Sequence, residues 1–408
     1  MAVRIISPSV FLSVKTDLPA SKSVSNRLLI IQSLCEDAFV LKNVSLADDT
    51  TILSDLINSN ESIEEAGEGG TTFRFLLALR CLQGKSGILN GSKRLSERPV
   101  QTLVEALNSL GAGIEYIEKH GFPPLRLTGG KLQGNELKID AGISSQFISA
   151  LLLIAPYLPN GLRVVLKGEM VSTSYIKMTT AIMHQFGVDV RIEKNVLIVP
   201  KGKYISKDVF IYSDWSAAAF FYAMAALKPN STMSLLNLKE DDLQGDQVLV
   251  SLMQEWGVKS QFEIDDVCIQ GIGIPEKKFI YNFIETPDLA QAFAVMAALS
   301  HRKLFISGLS TLKNKETDRL HALKIELEKL GAIIQVTESS LEVLQGINSS
   351  LLENIVLNTY NDHRMVMALS LFSLSGFPVI LDDISSVSKS FPNYFLELKK
   401  LGFVFSEL

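Results

Sequence analysis

Cysteine is scarce: Cys35, Cys81 and Cys268 are the only three in 408 residues, and no CxxC occurs. An odd, unclustered set excludes a disulfide framework and a thiolate metal site, and reads as reduced, mostly buried filler in a cytoplasmic protein. Five histidines (His120, His184, His301, His321 and His363) are scattered without an HxxxH pair, so no metal is expected. No large excess of charge of either sign exists. A net charge of −5 and a pI near 5.7 imply no basic face, which excludes a nucleic-acid partner. Apolar runs such as "FFYAMAAL" fall well short of the ~18 to 20 residues a membrane span needs. The opening MAVRIISPSV is too short and interrupted for a signal peptide. There is no GxxxxGK[ST], GxGxxG, GxSxG or HExxH. A soluble cytoplasmic protein without cofactor is expected, its chemistry resting on acid–base groups and fixed charge.

What is present is a repeat. Hydrophobic residues make up 47% of the chain against 20% charged, and the length suits two domains. Six stretches share a short polar or glycine-rich lead and about ten apolar residues: "SKSVSNRLLIIQSL" from Ser21, "GGTTFRFLLAL" from Gly69, "GISSQFISALLLIA" from Gly142, "SDWSAAAFFYAMAAL" from Ser213, "TPDLAQAFAVMAAL" from Thr286 and "YNDHRMVMALSLFSL" from Tyr360. Each predicts an N-capped helix that is apolar on nearly all faces and therefore buried. Amphipathic helices interleave with these and end in Gly111, Gly187, Gly257, Gly331 and Gly402, at intervals of 70 to 76 residues. A sixth, degenerate member lies at "TTILSDLINSN", which lacks the glycine. Two groups of three such units make two similar α/β domains, helices inside and sheets outside.

Capping explains the hydroxyls but not the cations. Lys22, Arg27, Arg74 and Arg364 stand in the leads or first turns of the buried helices. There they oppose the positive end of the helix dipole and resist burial. Four together predict an anionic ligand, because free helix N–H groups already favour phosphate or carboxylate. "NKETDRL" at 314 to 320 puts Lys315 and Arg319 four apart, on one face if the segment is helical. "NDHR" at 361 to 364 and "SKSFPNYF" at 388 to 395 again set a cation beside a cap. Taken singly, Lys389 reads as a surface lysine, Asp288 as an N-cap and His363 as structural. The set points to an anion site.

In order along the chain stand "LPASKSVSNR", "GGTTFR", "SERPV", "ISSQF", "VSTSYI", "PDLAQ", "KETDRL", "YNDHRMVMA" and "KSFPNYF". With these motifs the sequence resembles the 5-enolpyruvylshikimate-3-phosphate synthase family over nearly its whole length. The resemblance implies two domains, each of three βαβαββ-like repeats (an inside-out α/β barrel), with the active site in the interdomain cleft. Residues 1–20 and 214–408 would form the terminal domain and 21–213 the inserted one. It also implies a monomer that transfers the carboxyvinyl group of phosphoenolpyruvate to the 5-hydroxyl of shikimate 3-phosphate and releases phosphate, as a target of glyphosate. By that resemblance Lys22, Ser23, Arg27, Ser144, Ser145, Gln146, Ser172, Tyr175, Asp288, Thr311 and Lys315 contact shikimate 3-phosphate. Lys22, Gly70, Arg98, Gln146, Arg319, Arg364 and Lys389 grip phosphoenolpyruvate. Asp288 is the base toward the 5-hydroxyl, and Glu316 and Lys22 are the two candidates for the proton at carbon 3. His363 is an accessory donor at most.

The chain departs from the family pattern at Glu68 (often Asn), Phe75 (often Pro) and Thr311 (often Asn). Two rivals use the same cations. UDP-N-acetylglucosamine 1-carboxyvinyltransferases usually carry a reactive cysteine before the "RPV" motif, whereas "NGSKRLSERPV" has none. A non-catalytic binder of a phosphorylated metabolite would have no use for Asp288 and Glu316.

Overall fold

The computed structural model describes residues 2–11, 13–140, 142, 144–168, 172–240 and 243–408. Ile143 and Val171, which open two of the motifs quoted above, lie outside the described residues. The chain folds as two compact units, one of residues 1–20 with 212–408 and one of residues 21–211.

The 21–211 unit carries α1 (Lys22–Leu34), α2 (Asp48–Ile57), α3 (Gly70–Gln83), α4 (Gln101–Ser109), α5 (Ser145–Ile154) and α6 (Thr173–Gln185). The other carries α7 (Trp215–Leu227), α8 (Leu249–Gln254), α9 (Ala290–Ser300), α10 (Arg319–Lys329), α11 (His363–Ser370) and α12 (Tyr394–Lys400). Odd-numbered helices are the apolar ones. Every residue of α7 from Trp215 to Ala226 is buried, as are all eight of α11. Even-numbered helices bury one face, as α4 does through Leu103, Val104, Ala106 and Leu107. The five glycines that follow them all have positive φ, between 73° and 105°. At Gly257 a Cβ would stand 1.9 Å from the Gly273 carbonyl oxygen, so only glycine closes that helix. The degenerate helix α2 ends at Asn58 in ordinary right-handed backbone.

Among the described residues, five four-stranded sheets share one wiring. Ile63–Glu65 runs parallel to Ser86–Asn90, which pairs antiparallel with Leu125–Thr128, and that with Ile114–Tyr116. The order Glu136–Asp140, Leu162–Lys167, Val196–Val199 and Arg191–Glu193 repeats the pattern. In the other unit Phe279–Asn282, Leu304–Ser307, Leu341–Gln345 and Ile333–Val336 do the same. Two further sheets there borrow a strand from the first twenty residues. Val14–Asp17 lies parallel to Thr232–Leu236, and Val3–Ile6 lies between Val379–Leu381 and Val404–Glu407. This pairing is why the start of the chain belongs with its second half. The sixth sheet is reduced to Leu41–Lys42 beside Val209–Phe210, in the unit that also holds α2. Strands such as Glu136–Asp140 alternate exposed and buried, so one face of that sheet turns toward the interior.

Two expectations change. Only Cys81 of the three cysteines is buried, since Cys35 ends α1 and Cys268 sits in a partly covered strand. Side-chain capping is selective: Ser144, Asp214 and Asp362 accept from the N–H two residues on, whereas no side chain caps α1 or α3, and Pro287–Leu289 forms a 3-10 turn ahead of α9. At α3 the cap position is Gly69, which has no side chain to offer; at α1 the Ser21 hydroxyl is buried without a partner.

Candidate active site

In the unit of residues 1–20 and 212–408, the sequence-selected charges converge on one carboxylate. Asp288 stands in the 3-10 turn before α9, and its Oδ1 lies 3.4 Å from Lys315 Nζ and 3.2 Å from Arg319 NH1. Arg364 NH2 donates to Oδ2 at 3.2 Å and to the Ser216 hydroxyl at 2.9 Å. Arg319 also donates to Glu316 at 2.8 Å and, through Nε and NH2, to Asp362 at 2.7 and 3.2 Å. Burial alone would raise the Asp288 pKa, but Arg364, Lys315 and Arg319 hold it far below the usual carboxylate range. Burial lowers the Lys315 pKa, only partly opposed by Asp288. Arg319 is held charged against burial by Asp362, Glu316 and Asp288.

The expected helical pairing of Lys315 with Arg319 is not what joins them. Lys315 ends the 3-10 turn Ser310–Asn314 in extended backbone, and α10 starts only at Arg319, after the Asp318 cap. The two cations meet because both reach Asp288, a tertiary contact. Nor is Asp288 the cap of α9; that position falls to Leu289. Lys389 Nζ donates to the Asn361 carbonyl at 2.6 Å. It steadies a turn in which Tyr360 and Asn361 both take left-handed backbone, at φ of 57° and 52°. That turn delivers Asp362 to cap α11 and to bind Arg319. The Thr311 hydroxyl is buried without a partner and is not bonded into this network.

In the 21–211 unit, Lys22 opens α1 and bonds Asp49 at 2.8 Å. Gly70 opens α3, and a Cβ there would lie 2.5 Å from Arg74 NH1 and 2.8 Å from Arg98 NH2, so the missing side chain is what lets the two guanidinium groups approach this backbone. Arg98 NH1 donates to the Glu68 carbonyl at 3.3 Å, while its buried Nε has no partner. Arg74 bonds Gln146 and lies over the Phe147 ring. Ser144 caps α5 by accepting from Gln146 N–H, with Ser145 buried beside it. Ser172 leads α6 in left-handed backbone.

Arg27 is 2% exposed, with its fork spread over Thr179 Oγ1 (2.7 Å), the Ser23 carbonyl (2.8 Å), Ser149 Oγ (3.2 Å) and the Tyr175 carbonyl (3.3 Å). It also faces the Phe75 ring at 5.5 Å. Burial pulls its pKa down to about 10, since its hydrogen-bond acceptors are neutral.

Contrary to the expectation from sequence, Lys22 and Arg364 have carboxylate partners within the chain, so a ligand is not the sole offset of their charge. Sequence reasoning also passed over Asp49, Asp362 and Ser216, which hold three of the chosen cations. Asp362 had a signal, as the residue two before Arg364 at a helix start. Asp49 and Ser216 had none beyond ordinary N-terminal composition.

A family model of EPSP synthase (3-phosphoshikimate 1-carboxyvinyltransferase) matches residues 53–398. The chain belongs to the EPSP synthase family. The 3-phosphoshikimate 1-carboxyvinyltransferase of Bacteroides fragilis is 38% identical over 390 residues, covering 95% of this chain and 94% of that one. That of Buchnera aphidicola is 34% identical over 420 residues, with 96% and 95% covered. The solved EPSP synthase of Acinetobacter baumannii superposes over the whole of both chains with a TM-score of 0.78 at 21% identity, a likeness of fold. No described helix is long and apolar enough to cross a membrane.

Proposed function

We propose that the chain transfers the carboxyvinyl group of phosphoenolpyruvate to the 5-hydroxyl of shikimate 3-phosphate, releasing inorganic phosphate. The observation that carries this reading is Asp288, a carboxylate held ionised by three cations in a family of this activity. In the proposed course Asp288 takes the proton from the 5-hydroxyl as its oxygen bonds to carbon 2 of the enol. Carbon 3 gains a proton, giving a tetrahedral adduct. Loss of that proton and departure of phosphate then restore the double bond. Glu316 and Lys22 remain the two candidates at carbon 3.

Asp288 in its present surroundings is a weak base, because Arg364, Lys315 and Arg319 favour its charged form. Anionic substrates that draw on Arg364 and Lys315 relieve part of that stabilisation and raise its basicity when it is needed. The proposed phosphoenolpyruvate grip is Lys22, Gly70, Arg98, Gln146, Arg319, Arg364 and Lys389. The proposed shikimate 3-phosphate contacts are Lys22, Ser23, Arg27, Ser144, Ser145, Gln146, Ser172, Tyr175, Asp288, Thr311 and Lys315. The starts of α1 and α3, without side-chain caps and led by Lys22 and Gly70, support anion binding there. The enzyme is proposed to work as a cytoplasmic monomer, which light scattering of the purified protein checks.

Phosphate release from phosphoenolpyruvate tests the reaction, run with shikimate 3-phosphate, with UDP-N-acetylglucosamine and with no acceptor. Release only with shikimate 3-phosphate is the expected result. Release only with the sugar nucleotide, or with neither, overturns it.

A further inference from the structure

Asp246 is a buried carboxyl that the proposed course of reaction does not use. It lies on the 3-10 turn Gly245–Val248 ahead of α8, is 7% exposed, and its Oδ1 has no hydrogen-bond partner. The turn is tied to the start of α7. Gln244 Nε2 donates to the Ser213 carbonyl at 2.9 Å, and Trp215 N–H donates to Gln244 Oε1 at 3.1 Å. Four charges act on Asp246 electrostatically: Asp288 before α9, Asp214 capping α7, Arg364 on α11 and Lys315 before α10. Both of those cations already serve Asp288. Arg319 is shared among Asp288, Glu316 and Asp362. Among the described residues, a further anion in this cluster would share cations that already serve other carboxylates. Burial pushes the Asp246 pKa up to about 8, with Asp288 and Asp214 raising it and Arg364 and Lys315 opposing.

We propose that Asp246 is a positioning residue of the Asp288 centre that works as a neutral carboxylic acid. Neutral, it leaves Arg364 and Lys315 to Asp288 and to the incoming anions. Ionised, it competes for both cations and repels Asp288, Asp214 and the substrates. The role rests on the reaction proposed above.

Asp246→Asn keeps the shape and removes the titration. In the wild type, kcat/KM for phosphate release should fall above about pH 8. In Asp246→Asn that limb should move up by at least about one pH unit, with neutral-pH activity within about tenfold of wild type. An unmoved limb in the folded variant overturns the proposal and leaves the titration to a group such as Lys315. A second measurement needs no variant: infrared difference spectra of the wild type should show a protonated-carboxyl band at neutral pH that vanishes at alkaline pH. Absence of that band overturns the proposal even if Asp246→Asn does not fold. A wild type that turns over at neutral pH but keeps its limb in the variant refutes only the role of Asp246. A wild type that releases no phosphate refutes the reaction instead, and the infrared band then decides whether Asp246 is neutral.

Discussion

Arg364 holds Asp288 twice, donating to the Asp288 carboxylate at 3.2 Å and to the Asp288 backbone carbonyl at 3.1 Å. The residue at the start of α11 thereby orients the side chain and anchors the turn that carries it. Asp288→Asn leaves Arg364, Arg319 and Lys315 facing one another without their shared anion. Activity should fall by about 10² to 10⁴, the usual scale for losing a general base. Stability should fall by about 3 kcal/mol, as when one partner of a buried pair is removed. Turnover and urea unfolding of the same preparation measure both, and undiminished turnover refutes the base assignment.

The same carboxylate sets a pH dependence whose sign follows from its depressed pKa. Its contribution is fully present above the unfolded-state value of about 4 and is lost as pH falls toward the lower folded value. The stability gap between wild type and Asp288→Asn should thus be full at about pH 5 and narrow below about pH 4. Urea midpoints across that range check it; a gap that widens in acid would contradict the network.

Lys22→Met removes a cation proposed to contact both substrates. Charge-assisted contacts of this kind contribute roughly 1.5 to 3 kcal/mol, so activity should drop about ten- to a hundredfold or more. The substitution also strands the buried Asp49, its partner at 2.8 Å. Adding Asp49→Asn should recover stability without recovering turnover. If the double variant regains activity, Lys22 serves only to neutralise Asp49.

Gly70→Ala places a methyl group against Arg74 and Arg98. Both contacts are ends of flexible side chains, so the chain should fold while the two guanidinium groups give way. KM for phosphoenolpyruvate should rise, and the inhibition constant of glyphosate, the longer of the two molecules, should rise more. Steady-state constants for the wild type and Gly70→Ala decide it. Glu68 and Phe75 shape the same region, since the Glu68 carbonyl receives Arg98 and Phe75 faces Arg27. A wild type that glyphosate does not inhibit would show that these departures outweigh the glycine.

Much of the site was legible because its residues sit where a repeat makes them conspicuous. Lys22, Arg74 and Arg364 each break the apolar pattern at the start of a buried helix, which a linear reading detects. Asp246 breaks nothing visible: in "LQGDQVL" it reads as a loop carboxylate before an amphipathic helix. Only its burial, with an unpartnered Oδ1 and the charges of Asp288 and Asp214 acting on it, makes it unusual. Arg27 shows the reverse, a cation that stands out in sequence but whose fork is taken up by Thr179, Ser149 and two backbone carbonyls.

The sequence by itself determined the repeating units, the division into buried and half-buried helices and the five glycine stops. These follow from apolar periodicity and from the steric demand for positive φ, both local properties of the chain. Tertiary structure alone decided that Val3–Ile6 and Val14–Asp17 join sheets of the second half. It alone decided, too, that Lys315 and Arg319 meet on Asp288 rather than along one helix. Strand pairing across hundreds of residues and the balance of buried charges depend on which side chains become neighbours in space, and no local pattern encodes that distance.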